Sequence, residues 1–297
     1  MFSKIIVATD LSTAAFAVVR NLSGFKAYGT QECLLLECLS MPQVSTMALA
    51  YTYPLLEKTL QEQKSLLENE GFKADTRIVP GMATLEISRI ASEENYSLVV
   101  AGAECRSLVS EVLLGGIAFD VIHRCKLPVF IVRLEENTAE GISTIQGART
   151  DYNKHVLFPT DFSETAGRAF QVVQDLVSAG ARKVTLMHVQ EQARISPHLL
   201  DQLEEFNEID EARLAAMKED LQKRSDVDVD IFIAFGNPSK EIINAVRDRD
   251  VQLTVMGSQG RGYVSDLFLG SVSHNVARQS VASVLLIPAK KFSAKPE

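Results

Sequence analysis

The stretch "LFPTDFSETAGRAF", Leu157–Phe170, has the shape of a domain opening yet lies in mid-chain, and the chain itself opens on "IIVATDLSTAAFAV", Ile5–Val18. Each is an apolar run, then Thr-Asp, then a hydroxyl-bearing residue ahead of helix-forming sequence. The match continues beyond these openings. Asp10 pairs with Asp161 and Cys38 with Val189 at an offset of 151, and Gly81 with Gly236, Leu98 with Leu253, Gly102 with Gly257 and Val129 with Val284 at an offset of 155. The four extra residues fall in the acidic, helix-forming stretch between Gln190 and Arg224. At 297 residues the chain is about twice the usual domain size. It reads as a tandem repeat of one domain, not a short-period solenoid.

Within each copy, strand and helix alternate. In the second, "KHVLFPT", "KVTLMHV", "VDIFIAFG", "QLTVMGS" and "SVLLIPA" are short apolar runs bounded by turn residues, hence buried strands. Between them "SETAGRAFQVVQDLVSAGA" has helical spacing of apolar residues behind Ser163 as N-cap, and the stretch Leu199–Arg224 reads as a long amphipathic helix, as does Leu55–Asn69 in the first copy. Buried strands separated by helices pair in parallel through right-handed crossovers. The expected fold is therefore α/β, with two tandem copies of an open five-stranded parallel-sheet, Rossmann-like domain at residues 1–134 and 154–290. The segment "EENTAEGISTIQGARTDYN", Glu135–Asn153, lacks a sustained apolar period and reads as a linker.

Composition narrows the classes of function. An apolar fraction of 46% and a charged fraction of 23% are ordinary for a soluble globular protein. A net charge of −8 argues against non-specific nucleic-acid binding, which needs a basic surface. No apolar run is long enough to span a membrane, and the N-terminus lacks the features of a signal peptide, so the cytoplasm is the expected location. The cysteines, Cys33, Cys38, Cys105 and Cys125, have no metal-like spacing, and no metal site is expected from them.

In an open parallel sheet, ligands sit outside the carboxyl ends of the strands. The sequence there is most informative after the fourth strand of the second copy, "VMGSQGRGYVSDLFLGSVS", Val255–Ser273. Gly257 follows the strand, Gly260 comes after two more residues, and nine residues then lead to Gly270 and Ser271 at the start of the last helix. Glycines here permit a row of backbone N–H groups, and a helix N-terminus with a hydroxyl suits phosphate. Arg261 can pair with phosphate oxygens. The motif is neither a P-loop nor a dinucleotide fingerprint, since no Gly-Lys-Ser/Thr follows. Asp161 stands at the end of the first strand of that copy, either as a ligand for ribose hydroxyls or a divalent ion, or as a cap for the helix beginning "FSETA".

These stretches, "VLFPTDFSETA" and "VMGSQGRGYVSDLFLGSVS", resemble the universal stress protein family, and the likeness covers both copies to about residue 290. The family's Gly-x2-Gly-x9-Gly-Ser/Thr motif marks members that bind adenine nucleotides. The resemblance implies a domain of the adenine nucleotide alpha hydrolase-like class, the two copies pairing through their last strands as an internal pseudo-dimer. It implies ATP or AMP as the bound nucleotide, with Mg as an accompanying ion. Carried over to this chain, it puts the phosphates and ribose on Met256, Gly257, Ser258, Gln259, Gly260, Arg261, Gly262 and Tyr263 and on Gly270, Ser271, Val272 and Ser273. Pro159 and Asp161 would flank the nucleoside, and the backbone of Val189 would meet the adenine edge.

The first copy keeps Asp10 but alters the cradle. In "AGAECRSLVSEVLLGGIAF", Cys105 stands for Gly260, Glu104 for Gln259 and Gly116 for Ser271. A side chain replaces a glycine, a carboxylate faces the phosphates and a hydroxyl is lost, so nucleotide is expected mainly in the second copy. Cys105 beside this altered pocket also permits a redox-sensing reading. The histidines, His123, His155, His188, His198 and His274, are scattered, and no nucleophile, base and orienting group come together; no catalytic residue is assigned. The sequence thus points to an adenine-nucleotide-binding regulatory protein of the stress response. Slow ATP hydrolysis is one alternative and a protein-interaction module another, with homodimerisation and an unidentified protein partner left open.

Overall fold

The computed structural model describes residues 1–40, 48–105, 121–122, 125–139, 142–146, 151–191, 203–260 and 269–289. The chain divides into two compact units that meet in sequence between Thr150 and Asp151.

In the first unit, β1 (Lys4–Ala8), β2 (Glu32–Leu39), β3 (Lys73–Pro80), β4 (Leu98–Cys105) and β5 (Val129–Ala139) are parallel and ordered β3-β2-β1-β4-β5. Its helices are α1 (Thr13–Arg20), α2 (Ala48–Asn69) and α3 (Ala83–Glu94), with a 3-10 helix over Leu22–Tyr28. In the second unit, β7 (Val156–Thr160), β8 (Lys183–Glu191), β9 (Asp228–Gly236), β10 (Leu253–Gly257) and β11 (Ser283–Ile287) repeat the arrangement as β11-β10-β7-β8-β9. Its helices are α4 (Glu164–Ser178), α5 (Leu203–Gln222), α6 (Pro238–Asp248) and α7 (Ser271–Gln279). Residues 199–202 of the expected long helix fall outside the described residues, and α2 begins at Ala48, ahead of Leu55.

The elements form for local reasons. All five residues of β7 and of β11 are buried, as strands covered on both faces must be. Helix α4 buries Ala166, Ala169, Val173, Leu176 and Val177, one stripe at helical spacing. Full burial of each large member of that stripe contributes about 1.5–3 kcal/mol. Helix α6 starts on Asn237, whose side chain accepts from the Lys240 N–H at 3.2 Å, with Pro238 in the first turn where its missing N–H is harmless.

One segment differs from its sequence reading. The stretch read as a linker, Glu135–Asn153, contains the end of β5 and an antiparallel strand β6 (Ile142–Gln146), paired from Glu135↔Gln146 to Ala139↔Ile142. A backbone ladder needs no apolar side chains, so a polar ribbon leaves little trace in hydropathy. Among the described residues, no helix is long and apolar enough to cross a membrane.

The strand order places the site. Each chain winds outward from its first strand on one side (β1 to β2 and β3; β7 to β8 and β9) and then returns to the other side (β4 and β5; β10 and β11). The loops after β7 and β10 therefore leave in opposite directions and open a crevice between them, the topological switch point.

Candidate functional site

At the end of β7 the backbone turns through a short hydrogen-bonded motif. Thr160 Oγ1 accepts from the Phe162 N–H at 3.0 Å, Asp161 Oδ1 accepts from the Ser163 N–H at 3.0 Å, and Ser163 Oγ accepts from the Ala166 N–H at 3.2 Å. Phe162 is left-handed at φ 58°, an uncommon conformation for a bulky residue. The first unit repeats every feature. Thr9 Oγ1 accepts from Leu11 N–H at 3.0 Å, Asp10 Oδ1 from Ser12 N–H at 3.0 Å, Ser12 Oγ from Ala15 N–H at 3.2 Å, and Leu11 has φ 59°. The helix cap is thus Ser163, and the aspartate braces the turn before it. Only Oδ1 of Asp161 is engaged in that brace.

The other carboxylate oxygen faces the cradle. A Cβ built on Gly260 would lie 2.6 Å from Asp161 Oδ2, so any larger residue there requires the carboxylate to turn away. Gly257 has a different reason to be glycine: its Cβ would stand 2.9 Å from Cγ2 of Thr165 on α4, so the missing side chain lets helix and strand pack. Gly102 of the first unit likewise makes room for Val18, whose Cγ2 would be 2.6 Å from a Cβ there. Gly257 and Gly102 are therefore packing glycines, and Gly260 belongs to the crevice.

Ser258 joins the two halves of the cradle. Its N–H donates to the Ile287 carbonyl at 2.8 Å, and its carbonyl accepts from the Gly270 N–H at 2.7 Å and from Ser273 Oγ at 2.6 Å. Ser273 is buried, and its hydroxyl holds the loop to the helix start. Ser271 is exposed and Val272 half-buried at the first positions of α7. Gly270 occupies the cap position with no side-chain hydrogen bond. The N–H groups of the first turn have no intrahelical partner, and the helix dipole is positive there.

The remaining sequence-predicted residues take their places along the strands. Pro159 lies buried in β7, opposite Met187, and Met256 lies buried in β10, opposite Leu286. Val189 is half-buried near the end of β8, one residue past the His188 that pairs with Thr160, so it stands level with Asp161. Gln259 is half-buried between Ser258 and Gly260. Arg261, Gly262 and Tyr263 lie outside the described residues.

Over the described residues the first unit departs from this cradle, for a reason the residue changes alone do not convey. Strand β4 does not stop at Gly102. It continues through Ala103↔Arg133, Glu104↔Leu134 and Cys105↔Glu135 in register with β5, whereas the β10–β11 register ends at Gly257↔Ile287. The residues equivalent to Ser258–Gly260 are therefore extended strand paired with β5, not a loop. The crevice face also differs. Glu37, aligned with His188, is buried, and burial together with the charge of Asp10 pushes its carboxyl up to about 8. Burial pushes the thiols of Cys33 and Cys38 up to about 12 and that of Cys125 to about 11, which disfavours the reactive thiolate at each. The Cys105 side chain, on which the redox reading fell, lies outside the described residues. Among the described residues, no three of His, Cys, Asp and Glu are grouped to hold a metal ion.

The universal stress protein family matches residues 1–133 and again residues 153–288. The chain belongs to that family, as a tandem member. A universal stress protein of Methanocaldococcus jannaschii is 31% identical over 155 residues, spanning 46% of this chain and 96% of that one. A universal stress protein of Mycolicibacterium smegmatis is 24% identical over 298 residues, 95% of this chain and 96% of its own. Among solved structures, a universal stress protein from Archaeoglobus fulgidus superposes with a TM-score of 0.71 at 24% identity, covering 98% of this chain and all of its own length, which shows the same fold over both units.

Sequence reasoning passed over two members of the site region. Phe162 is in sequence simply the residue after Asp161, and His188 one of five scattered histidines. Their positions relative to each other depend on the pairing of β7 with β8, which no local pattern reports.

Proposed function

We propose that the second unit binds an adenine nucleotide in the crevice between the turn after β7 and the loop after β10, and that this makes the protein a nucleotide-responsive regulatory module of the stress response. The observation that carries the reading is the approach of Asp161 Oδ2 to Gly260, which brings the carboxylate and the glycine loop together at the switch point and leaves no room for a side chain unless the carboxylate moves. In this reading the phosphates rest on the backbone N–H groups of Gln259 and Gly260 and on the open first turn of α7 at Ser271–Ser273. Ser273 acts through its backbone, since its hydroxyl is bound to the Ser258 carbonyl. Asp161 accepts from ribose hydroxyls, and Pro159, Val189 and Met256 flank the nucleoside. Magnesium, if bound with ATP, would ride chiefly on the phosphates and water, as this ion usually does.

The first unit does not bind in this way, because β4 continues as extended strand through Cys105 where the second unit turns into the glycine loop. One nucleotide per chain is the consequence. Calorimetric titration of the full chain with ATP and with AMP, with and without magnesium, tests the reading. Saturation near one site per chain supports it; absence of binding by any adenine nucleotide, or two equivalent sites, overturns it.

A further inference from the structure

Behind the turn that carries Asp161 lies a polar cluster that nucleotide binding does not by itself require. His188, in β8, is buried, with Nδ1 2.7 Å from the Thr160 carbonyl oxygen and Nε2 3.5 Å from Oδ2 of Asp210 on α5. Both neighbours are acceptors. A proton on Nδ1 satisfies Thr160, and a second on Nε2 completes a charge-assisted link to Asp210. Asp210 is anchored in turn: Gln190 Nε2 donates to its Oδ2 at 3.2 Å, and Arg213 Nη1 lies 3.7 Å from its Oδ1. The strained residue of the turn joins the same cluster. The Phe162 ring centroid is 4.8 Å from that of His188 and 5.1 Å from the Arg213 guanidinium carbon. The charged groups around the imidazole are thus Asp210 and Arg213 from α5 and, one residue past the Thr160 carbonyl, Asp161; from β9 its partner in register is the apolar Ile233.

The first unit lacks this link. Glu37 replaces His188, with its Oε2 buried and without a hydrogen-bond partner among the described residues, and the tie to the outer helix runs instead from Thr9 Oγ1 to Gln63 Oε1 on α2 at 3.1 Å. The His–Asp connection occurs only in the unit whose cradle is intact.

We propose that His188 is a positioning residue: through the Thr160 carbonyl and the Phe162 ring it holds the turn in the geometry that brings Asp161 to Gly260, and Asp210 sets how firmly it does so. Helix α5 and the crevice are then coupled, and the coupling is reciprocal, so a ligand bearing on Asp161 alters the hold on α5. The identification of the ligand as an adenine nucleotide rests on the function proposed above; the positioning role does not.

The test uses the full chain as wild type, Asp210→Asn, Asp210→Glu and His188→Gln. The first readout needs no ligand: hydrogen exchange at the Phe162 and Ser163 amides, which donate to Thr160 Oγ1 and Asp161 Oδ1. Protection is expected to fall about tenfold in Asp210→Asn and to recover in Asp210→Glu, corresponding to a coupling within the usual 1–3 kcal/mol range. If His188→Gln does not fold, Asp210→Asn alone decides. The second readout is ATP affinity, expected to weaken about threefold to thirtyfold in Asp210→Asn. Unchanged amide protection in Asp210→Asn overturns the positioning role, and changed protection with unchanged ATP affinity overturns the coupling to the crevice. Changed protection in Asp210→Asn together with no adenine-nucleotide binding by wild type supports the positioning role and overturns the nucleotide reading.

Discussion

Asp161 and Gly260 lie 99 positions apart in the sequence, and in the fold the space beside the Gly260 Cα is filled by the Asp161 carboxylate, 2.6 Å from where a Cβ would be. Neither residue can change without the other being affected. In Gly260→Ala the carboxylate has to swing away or the loop has to lift, and either motion separates the two walls of the crevice. ATP affinity is expected to fall at least about tenfold, equivalent to roughly 1.4 kcal/mol. Because Gly260 is exposed, the melting temperature should move by only a few degrees. Titration calorimetry beside a thermal melt separates the two effects. A variant that binds ATP as wild type does would show that the loop is not part of the site.

Restoring glycine to the first unit should not restore binding. Cys105→Gly removes a side chain but leaves the ladder in which Cys105 pairs with Glu135 and Glu104 with Leu134. The stoichiometry is expected to stay near one nucleotide per chain. A rise to two in calorimetry would show that the cysteine side chain, and not the continued strand, closes the first crevice.

Ser273→Ala tests how the cradle is held together. The hydroxyl is buried and donates to the Ser258 carbonyl at 2.6 Å. Its loss is expected to destabilise the chain by about 1 kcal/mol, with a weaker grip on the loop and a moderate loss of ATP affinity. Chemical denaturation gives the first quantity and calorimetry the second. Affinity lost without any loss of stability would instead place the hydroxyl on the ligand.

Glu37 should make the protein less stable as pH rises. Its folded-state carboxyl titrates at about 8, against an ordinary value of 4.5. Below about 4.5 both folded and unfolded states are protonated and its contribution is fully present. Between the two values the unfolded chain ionises while the folded one retains the proton, so stability drains away through that window. Glu37→Gln carries no such proton and should gain on wild type by about 1–2 kcal/mol between pH 5 and pH 8. Melting curves of both proteins at those two pH values check it, and a constant difference would mean the carboxylate is hydrated in the folded state.

Much of the fold was legible because its causes are local. The repeat, the buried strands "VLFPT" and "SVLLI", the stripe on α4 and the Ser163 cap depend on residue types within a turn or two of one another. The Thr-Asp-x-Ser turn is of the same kind, which is why it recurs with the same hydrogen bonds at Thr9–Ser12 and Thr160–Ser163. The polar strand β6 was not legible, since a backbone ladder imposes little on side-chain hydropathy.

What the sequence by itself determined is therefore the duplicated α/β domain and the set of glycines, hydroxyls and carboxylates delivered to the carboxyl ends of its strands. Only the tertiary structure decided what each of them does. Gly257 makes room for Thr165 while Gly260 makes room for Asp161; Ser273 turns its hydroxyl to the Ser258 carbonyl; β4 runs on to Cys105 where β10 stops at Gly257; and His188 meets Asp210. Each of these is a contact between residues far apart in the chain, set by which strands become neighbours and in what register. Composition and spacing specify the groups available, whereas parallel strand pairing, which is non-local, specifies the partners they find.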